Sequence, residues 1–342
     1  MVDNHALMSE LFKELEKVED NIQNAKAEKQ RLVKRLFFAT KHLTDKDKQE
    51  HLTQLSSMLN ADELTESQTR ILSQLKIPLS NVASFREQLV QATRRRQLVN
   101  FQPEWMLNNK LFAYQFIDHL GVKRPATFAH NQPLTNIQAK KKSVLKPVYG
   151  SASKGVFIFD EHGGALEVAT GEIITTVEET FAKANDLLAK GLIKSDAWIL
   201  EEFTGDFEND KPLVPRDLKF FCFFGEVGLI LEVDRSGEPR YCEWLPDGSC
   251  VQTGPGNYFI GNGFTDQELE IAKLISKAIP APFMRIDFLK SKNAFHFGEF
   301  TPRPGQFCVM YESFDRYLGE CYLRAQSRLF NQLVDRDIFS SI

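Results

Sequence analysis

Two acidic residues occupy matching positions in short, strand-like segments near the end of the chain. Asp287 and Glu299 each stand between apolar or glycine neighbours, and alternation along paired strands can direct both carboxylates to one face. Adjacent carboxylates repel each other unless a cation lies between them. Mg²⁺ typically binds one or two carboxylates together with nucleotide phosphates. The pair predicts a Mg²⁺ site, and a hairpin with polar residues facing outwards is the simpler alternative.

A lysine precedes a loop of small residues in segment 146–156. Small residues let backbone N–H groups approach phosphate oxygens, and the lysine adds a positive charge. The segment lacks the spacing GxxxxGK[ST], and no helix is predicted directly after it, so an ordinary hairpin turn would also explain it. The candidate phosphate-binding residues are Lys146, Gly150, Ser151, Ser153, Lys154 and Gly155.

Two other segments place polar groups on predicted strands. An apolar run ends in acidic residues and a glycine, and backbone groups at such a strand end can bind the edge of an adenine ring; a solvated strand end is the alternative. Further along, alternation directs Asp217 and Lys219 to one face of a strand, while Leu218 and Phe220 occupy the other. The strand-end residues are Glu201, Glu202, Phe203 and Thr204.

The elements that must position these residues lie after residue 105, where strand-like and helix-like segments alternate. Hairpins are predicted through Gly225 and through residues 291–293, and Thr265 with Glu268 forms a predicted capping box. Hairpins mixed with helices indicate an α+β fold with antiparallel sheets. Strands are predicted at 143–147, 155–160, 198–203, 218–224, 227–234, 283–289 and 294–300, and helices at 177–190, 269–279 and 313–334.

Residues 1–104 have a different texture and are predicted to form a helical N-terminal region before a catalytic region at 105–342. They contain one proline, Pro78, and no glycine. Apolar residues recur near heptad spacing, interrupted by Lys29, which fits either a coiled coil between two chains or a helical hairpin within one chain. The apolar stripe consists of Leu7, Leu11, Leu15, Val18, Ile22, Ala25, Leu32 and Leu36.

Shorter helices should follow this stripe. Thr44 can cap one helix, and Ser80 or Asn81 can cap another that ends near the triple arginine 94–96. Three consecutive arginines at a helix end form either a solvated face or a contact for a polyanionic substrate.

Composition narrows the class of protein. The 342 residues include 42 basic and 46 acidic side chains, a net charge of −4, which argues against a general nucleic-acid-binding protein. Five cysteines form no CxxC pair and their number is odd, which favours a reducing cytosol. No signal peptide or membrane-spanning segment is visible. We therefore expect a cytoplasmic protein that does not insert stably into a membrane.

The order of the four polar segments resembles the ATP-grasp superfamily over about residues 107–326. The phrase DLKFFCFFGE at 217–226, followed by Val233-Asp234-Arg235 and Trp244, is similar to the TupA-like branch, which is associated with bacterial cell-surface polysaccharide and teichuronopeptide synthesis. The resemblance implies an ATP-grasp fold, in which two α+β subdomains clasp ATP. A typical member begins with an α/β domain, whereas this chain begins with an all-helical region.

The resemblance implies a role for each candidate residue. Lys110 and Lys146 would contact ATP phosphates, although Asn109 replaces the acid of the family's DK dipeptide. Segment 150–155 would be the mobile phosphate loop, and 201–204 the adenine hinge. Asp217 would contact the ribose and Lys219 would lie near the phosphates.

On the catalytic side, the resemblance makes Asp287 and Glu299 magnesium ligands and Arg285 the group that steadies the acyl phosphate. Thr301 stands where the family often has asparagine and could offer a neutral oxygen to the metal. Arg303 could hold a substrate carboxylate or phosphate. Asp234 and Arg235 either bind substrate or form a salt-bridged turn.

The implied activity is an ATP- and Mg²⁺-dependent ligase that joins a carboxylate to an amine through an acyl phosphate. The partners would be small molecules, with a sugar or surface-polymer precursor as acceptor, and a homodimer through the N-terminal helices is an open possibility. The alternatives are an ATP-grasp phosphotransferase acting on a sugar hydroxyl, and a non-catalytic nucleotide-binding scaffold.

Overall fold

The computed structural model describes residues 4–99, 101–150, 153–209, 211–305 and 307–334. They fall into two units, Met1–Ser84 and Phe85–Ile342, and each is described by itself. None of the described helices combines the length and the apolar character needed to cross a membrane.

The N-terminal unit is helical, as predicted. Its described elements are α1 (Asn4–Ala39), α2 (Asp45–Ser56) and α3 (Glu66–Gln74), with 3₁₀ turns at Thr40–His42, Ala61–Glu63 and Ser80–Val82. Thr44 caps α2 by accepting a hydrogen bond from Asp47 N, as expected. The core joins the C-terminal part of α1 to the shorter helices through Val33, Phe37, Leu52, Leu55, Leu59, Leu72 and Ile77.

The helix predicted to begin after Ser80 or Asn81 begins at Phe85 instead, because residues 80–82 form a separate 3₁₀ turn. This helix, α4 (Phe85–Leu98), lies in the second unit, whereas the predicted N-terminal region extends to residue 104. Phe85 explains the assignment, since it is fully buried in the phenylalanine-rich core of that unit.

The second unit alternates helices and strands. After α4 its helices are α5 (Pro103–Met106), α6 (Lys110–His119), α7 (Val177–Ala189), α8 (Asp266–Ala278) and α9 (Glu312–Val334). Its strands are β1 (Thr127–Gln132), β2 (Ser143–Pro147), β3 (Phe157–Phe159), β4 (Ala165–Glu167), β5 (Ile173–Ile174), β6 (Trp198–Glu202), β7 (Asp206–Glu208), β8 (Lys211–Leu213), β9 (Arg216–Phe223), β10 (Glu226–Asp234), β11 (Arg240–Trp244), β12 (Cys250–Val251), β13 (Met284–Lys290) and β14 (Phe295–Thr301).

Two six-stranded antiparallel sheets form the α+β architecture that the sequence predicts. The first has the order β1-β6-β2-β3-β4-β5, and the second β12-β11-β10-β9-β13-β14; β7 and β8 form a separate hairpin. The predicted turn through Gly225, the hairpin between β13 and β14, and the capping box of Thr265 and Glu268 are all confirmed.

The second sheet leaves part of one face uncovered. Leu218 and Phe220 of β9 point to one side, where α6 and α8 cover them. On the opposite side, Phe221 and Phe223 pack in the core that contains residues of α4 and α9. Lys219 belongs to this second side, so the predicted alternation along β9 is confirmed, and polar groups face the open part of the sheet.

Candidate active site

A cavity of about 630 Å³ lies between the two sheets of the second unit. Strands β2 and β6 of the first sheet contribute one wall, and β9, β10, β13 and β14 contribute the other. Most residues predicted from the sequence line it, namely Lys110, Lys146, Gly150, Ser153, Lys154, Glu201, Glu202, Phe203, Thr204, Asp217, Lys219, Arg285, Asp287 and Glu299. The chain therefore brings together segments up to about 190 residues apart.

Three neighbouring strands present a row of charged side chains, one lysine followed by two carboxylates. Lys219 of β9 is opposite Asp287 of β13, which is opposite Glu299 of β14. Asp287 accepts hydrogen bonds from Lys219 Nζ at 2.5 Å and from Arg285 Nε and Nη2 at 2.7 Å each. Burial by itself would raise the pKa of Asp287, but Lys219 and Arg285 hold it below its ordinary value. These two cations therefore favour the ionised form of Asp287.

Glu299 differs from Asp287 because its carboxylate is exposed to the cavity. No hydrogen bond or ion pair joins it to another described residue. The described residues hold no group of three or more His, Cys, Asp or Glu side chains suited to a metal. A metal here would thus take two carboxylates from the protein and its other oxygens elsewhere, which suits Mg²⁺ bound to nucleotide phosphates. Asp287 still fits, since three of its roughly four lone-pair sites are used.

Two lysines approach the opposite wall. Asn109 caps α6 by accepting hydrogen bonds from Leu111 N at 2.9 Å and Phe112 N at 3.4 Å, so the asparagine that replaces an acid still orients Lys110. Lys110 Nζ donates to the carbonyl of Pro147 at 3.4 Å. Burial, with a contribution from the charge of Lys146, lowers the pKa of Lys110 to about 8.

Lys146 has a dedicated counter-ion. It forms a close ion pair with Glu201, which is 2% exposed and also accepts a hydrogen bond from the Tyr114 hydroxyl at 2.9 Å. Burial lowers the pKa of Lys146, but Glu201 outweighs it and raises the pKa above the ordinary value. The Glu201 carboxylate therefore holds a lysine, which its place in the predicted adenine hinge did not suggest.

The remaining residues of the predicted hinge, Glu202, Phe203 and Thr204, also line the cavity. Phe203 N donates to Lys142 O at 2.9 Å, and the Glu202 carboxylate accepts a hydrogen bond from Ala126 N at 3.2 Å. Other apolar side chains also line the cavity, and of these only Val233 was named from the sequence. Val144, Ile158, Leu231, Val233 and Leu289 lie on strands, where alternation could have identified them, whereas Val156 and Val168 lie just outside β3 and β4.

The glycine loop contributes some of its predicted residues. Gly150, Ser153 and Lys154 line the cavity, whereas Gly155 is buried behind the loop and does not. Gly155 has φ +71°, and a Cβ there would stand 2.5 Å from Ile193 Cδ1. Ser151 lies outside the described residues.

Other candidates take part in ion pairs. Asp217 accepts a hydrogen bond from Arg235 Nε at 2.9 Å and lies 3.4 Å from Lys219 Nζ. Asp234 pairs with Arg240 at 2.5 Å. Asp234 and Arg235 are therefore both in ion pairs, but with other residues rather than with each other, and Arg235 also lines the cavity.

Two predicted catalytic-side residues do not line the cavity. Thr301 lies opposite Arg285 in the sheet, and its hydroxyl accepts a hydrogen bond from Arg285 Nη2 at 3.0 Å. Arg303 is exposed, and no hydrogen bond or ion pair joins it to another described residue.

Two of the three consecutive arginines at 94–96 contact side chains of other helices in the second unit. Arg95 donates to the Tyr322 hydroxyl at 2.9 Å, and the Arg96 guanidinium lies 4.0 Å from the centre of the Trp105 ring. These contacts favour a structural role over a polyanion contact.

The model of the TupA-like ATP-grasp family matches residues 88–323, more than half of the chain. A search of curated proteins gave no match.

Solved structures of low identity also align with the chain. ATP-grasp ligase PsnB, complexed with a phosphomimetic variant of its minimal precursor, Mg and ADP, is 12% identical, with a TM-score of 0.38 over 65% of this chain and 60% of that chain. D-alanine–D-alanine ligase from Helicobacter pylori is 14% identical, with a TM-score of 0.37 over 64% and 58%. L-amino acid ligase from Bacillus licheniformis is 12% identical, with a TM-score of 0.37 over 63% and 46%. The matched part of this chain thus spans less than two thirds of each.

Proposed function

Because the chain belongs to the TupA-like ATP-grasp family, has its fold and uses its cofactors ATP and Mg²⁺, we propose that it is a ligase that joins a carboxylate to an amine through an acyl phosphate. One observation carries the proposal. The charged row of Lys219, Asp287 and Glu299 lies in the same cavity as the buried lysines 110 and 146. Such a cavity can neutralise a polyphosphate while leaving one carboxylate free.

Each wall of the cavity has a part in this proposal. Lys110 and Lys146 would neutralise the phosphate oxygens of ATP, and the apolar side chains of both sheets would enclose the adenine. Glu299, with Asp287, would hold Mg²⁺, which when bound neutralises charge on the transferred phosphoryl group. Because the Thr301 hydroxyl is bound to Arg285, we assign Thr301 to orienting that guanidinium.

Arg285 is suited to the charge that develops on the substrate. Its Nε and Nη2 donate to Asp287, and Nη2 also donates to Thr301, so the guanidinium requires little reorganisation as the oxyanion forms. An acyl phosphate is a mixed anhydride that water destroys, and Gly150, Ser153 and Lys154, which line the cavity, would help to shield it. An amine would then attack the carbonyl and release phosphate.

The proposed setting follows from the branch of the family. We propose that the carboxylate is an amino acid or uronic acid and that the amine belongs to a sugar or surface-polymer precursor. The reaction would take place in the bacterial cytoplasm, before export of the polymer.

The test is phosphate release from Mg²⁺-ATP with a panel of amino acids, uronic acids and amines, followed by mass spectrometry of the products. Hydroxylamine is added in parallel, because it converts an acyl phosphate into a hydroxamate. We expect ADP, phosphate and an amide, with a loss of at least about a hundredfold in rate for Glu299→Gln. The control Glu270→Gln removes an exposed carboxylate on α8 and should leave the rate unchanged.

The outcomes separate the competing functions. A phosphorylated sugar without hydroxamate would replace the ligase by the phosphotransferase. Nucleotide binding without turnover for any pair of substrates would favour the scaffold.

A further inference from the structure

Helix α1 carries exposed apolar side chains that the proposed catalytic function does not use. Every residue from 4 to 25 is exposed. The helix enters the core of its unit only further along, at Val33 and Phe37. Between these parts, Lys26 pairs with Asp62 at 2.8 Å. The helix is thus anchored by its C-terminal part, and its N-terminal part presents apolar groups to solvent.

Six of the exposed apolar residues keep a heptad spacing, and Leu7 and Phe12 lie beside them. The separations of the six alternate between three and four residues, and their five largest side chains are each 43–60% exposed. A straight helix repeats every 3.6 residues, so a sustained 3.5-residue repeat remains on one face only when two helices supercoil. A lipid surface imposes no such repeat. The stripe, here termed the seam, consists of Met8, Leu11, Leu15, Val18, Ile22 and Ala25.

The charges beside the seam argue against an anionic membrane as its partner. Segment 4–29 holds more acidic than basic side chains, whereas helices that bind anionic membranes are rich in lysine and arginine. Mixed charges around an apolar seam are typical of the solvated faces of a coiled coil. The acidic residues are Glu10, Glu14, Glu16, Glu19, Asp20 and Glu28, and the basic ones are Lys13, Lys17, Lys26 and Lys29.

We propose that the seam forms a two-stranded coiled coil with the same segment of a second copy of this chain. A helix without tertiary packing is marginally stable in water, and an identical seam offers the matching repeat in a closed twofold dimer. The seam ends where Lys29 occupies the next heptad position and pairs with Glu63 at 2.6 Å within its own unit. The proposal does not depend on the catalytic function.

Sedimentation equilibrium of the full chain over a concentration series tests it. We expect twice the chain mass of 39.1 kDa. Leu15→Glu places a charge in the seam while retaining a good helix former, and should weaken the dimer at least about tenfold. Ala27→Glu places the same side chain on the opposite, exposed face and should leave the dimer intact.

Two further measurements distinguish a loss of the dimer interface from a loss of helix structure in Leu15→Glu. Circular dichroism shows whether Leu15→Glu has lost helix, and Leu15→Met, which keeps an apolar seam, should restore the dimer. A monomeric full chain throughout the series would overturn the proposal. So would a Leu15→Glu variant that dimerises as tightly as the wild type, because the interface would then lie elsewhere.

Discussion

Burial changes the pH range over which Lys110 is charged. Its pKa is lowered to about 8, chiefly by burial and then by the charge of Lys146. Phosphate binding requires the charged form, so the affinity for ATP falls as Lys110 loses its proton above pH 8. Lys146 does not share this behaviour because Glu201 raises its pKa.

We therefore expect the KM for ATP to rise about tenfold between pH 7 and pH 9, as the charged fraction of Lys110 falls. In Lys110→Arg the side chain stays charged, and the KM should be nearly constant over this range. Lys190 is an exposed lysine on the surface, and Lys190→Arg should keep the wild-type dependence of KM on pH. A flat wild-type profile, or an unchanged rise in Lys110→Arg, would assign the titration to another group.

At the scale of single residues, some contacts of the site could be predicted from the sequence and others could not. Asp287 and Glu299 could be paired in advance because both lie on one predicted hairpin. The bond between Lys146 and Glu201 could not, since it depends on β2 pairing with β6, more than 50 residues later. Tyr114, which holds the other oxygen of Glu201, comes from a third element. Such contacts follow from tertiary pairing, which has no local signal.

At the scale of elements, strands with an alternating or a continuously apolar pattern were predicted to within a few residues. The sequences of β13 and β14 alternate, whereas β9 and β10 are mostly apolar runs that are buried on both faces. The two-residue strands β5 and β12 were missed, since two residues cannot display a period. The register of β1 is interrupted twice, which also removes the alternating pattern. These strands are defined by their partners rather than by their own sequences.

The loop that precedes β3 depends on one glycine for a packing reason. Gly155 and Gly121 have nearly equal positive φ angles, +71° and +68°. A Cβ at Gly121 would meet nothing within 4 Å, whereas at Gly155 it would collide with the side chain of Ile193, which is 4% exposed. Comparing alanine at both positions separates backbone strain from overpacking.

We expect Gly121→Ala to lower the free energy of unfolding by about 1–2 kcal/mol, from strain alone. Gly155→Ala should lose about 1–3 kcal/mol more from overpacking. Urea unfolding followed by tryptophan fluorescence, to which Trp198 in the same core contributes, measures both. Ile193→Val removes the colliding methyl group, so it should reduce the effect of Gly155→Ala; equal effects of the two glycine substitutions would refute the packing argument.

The whole molecule carries a net charge of −4, yet its cavity is arranged for an anion. Basic side chains from both sheets and from α6 converge there, and Glu299 is the acidic group among them with no partner in the described residues. Recognition of a polyphosphate therefore depends on local placement of charge rather than on the overall charge. The converging basic residues are Lys110, Lys146, Lys154, Lys219, Arg235 and Arg285.

The cofactors can be tested through the stability of the unit that holds the cavity, since all lining residues lie within 85–342. At a hundredfold its Kd, Mg²⁺-ATP should stabilise this unit by about 2.7 kcal/mol. For a unit of this size the melting temperature should rise by about 5–10 °C. With excess chelator the rise should shrink, because Glu299 would then face the phosphates without a cation between them.

Glu299→Gln tests the same metal site by removing its free carboxylate instead of the metal. This variant should bind ATP without Mg²⁺ at least as well as the wild type, and should lose most of the additional stabilisation from the metal. Glu270→Gln should respond like the wild type. A Mg²⁺ effect of equal size in the wild type and in Glu299→Gln would mean that the metal is held by other groups, and the charged row across β9, β13 and β14 would then serve only to fix Arg285.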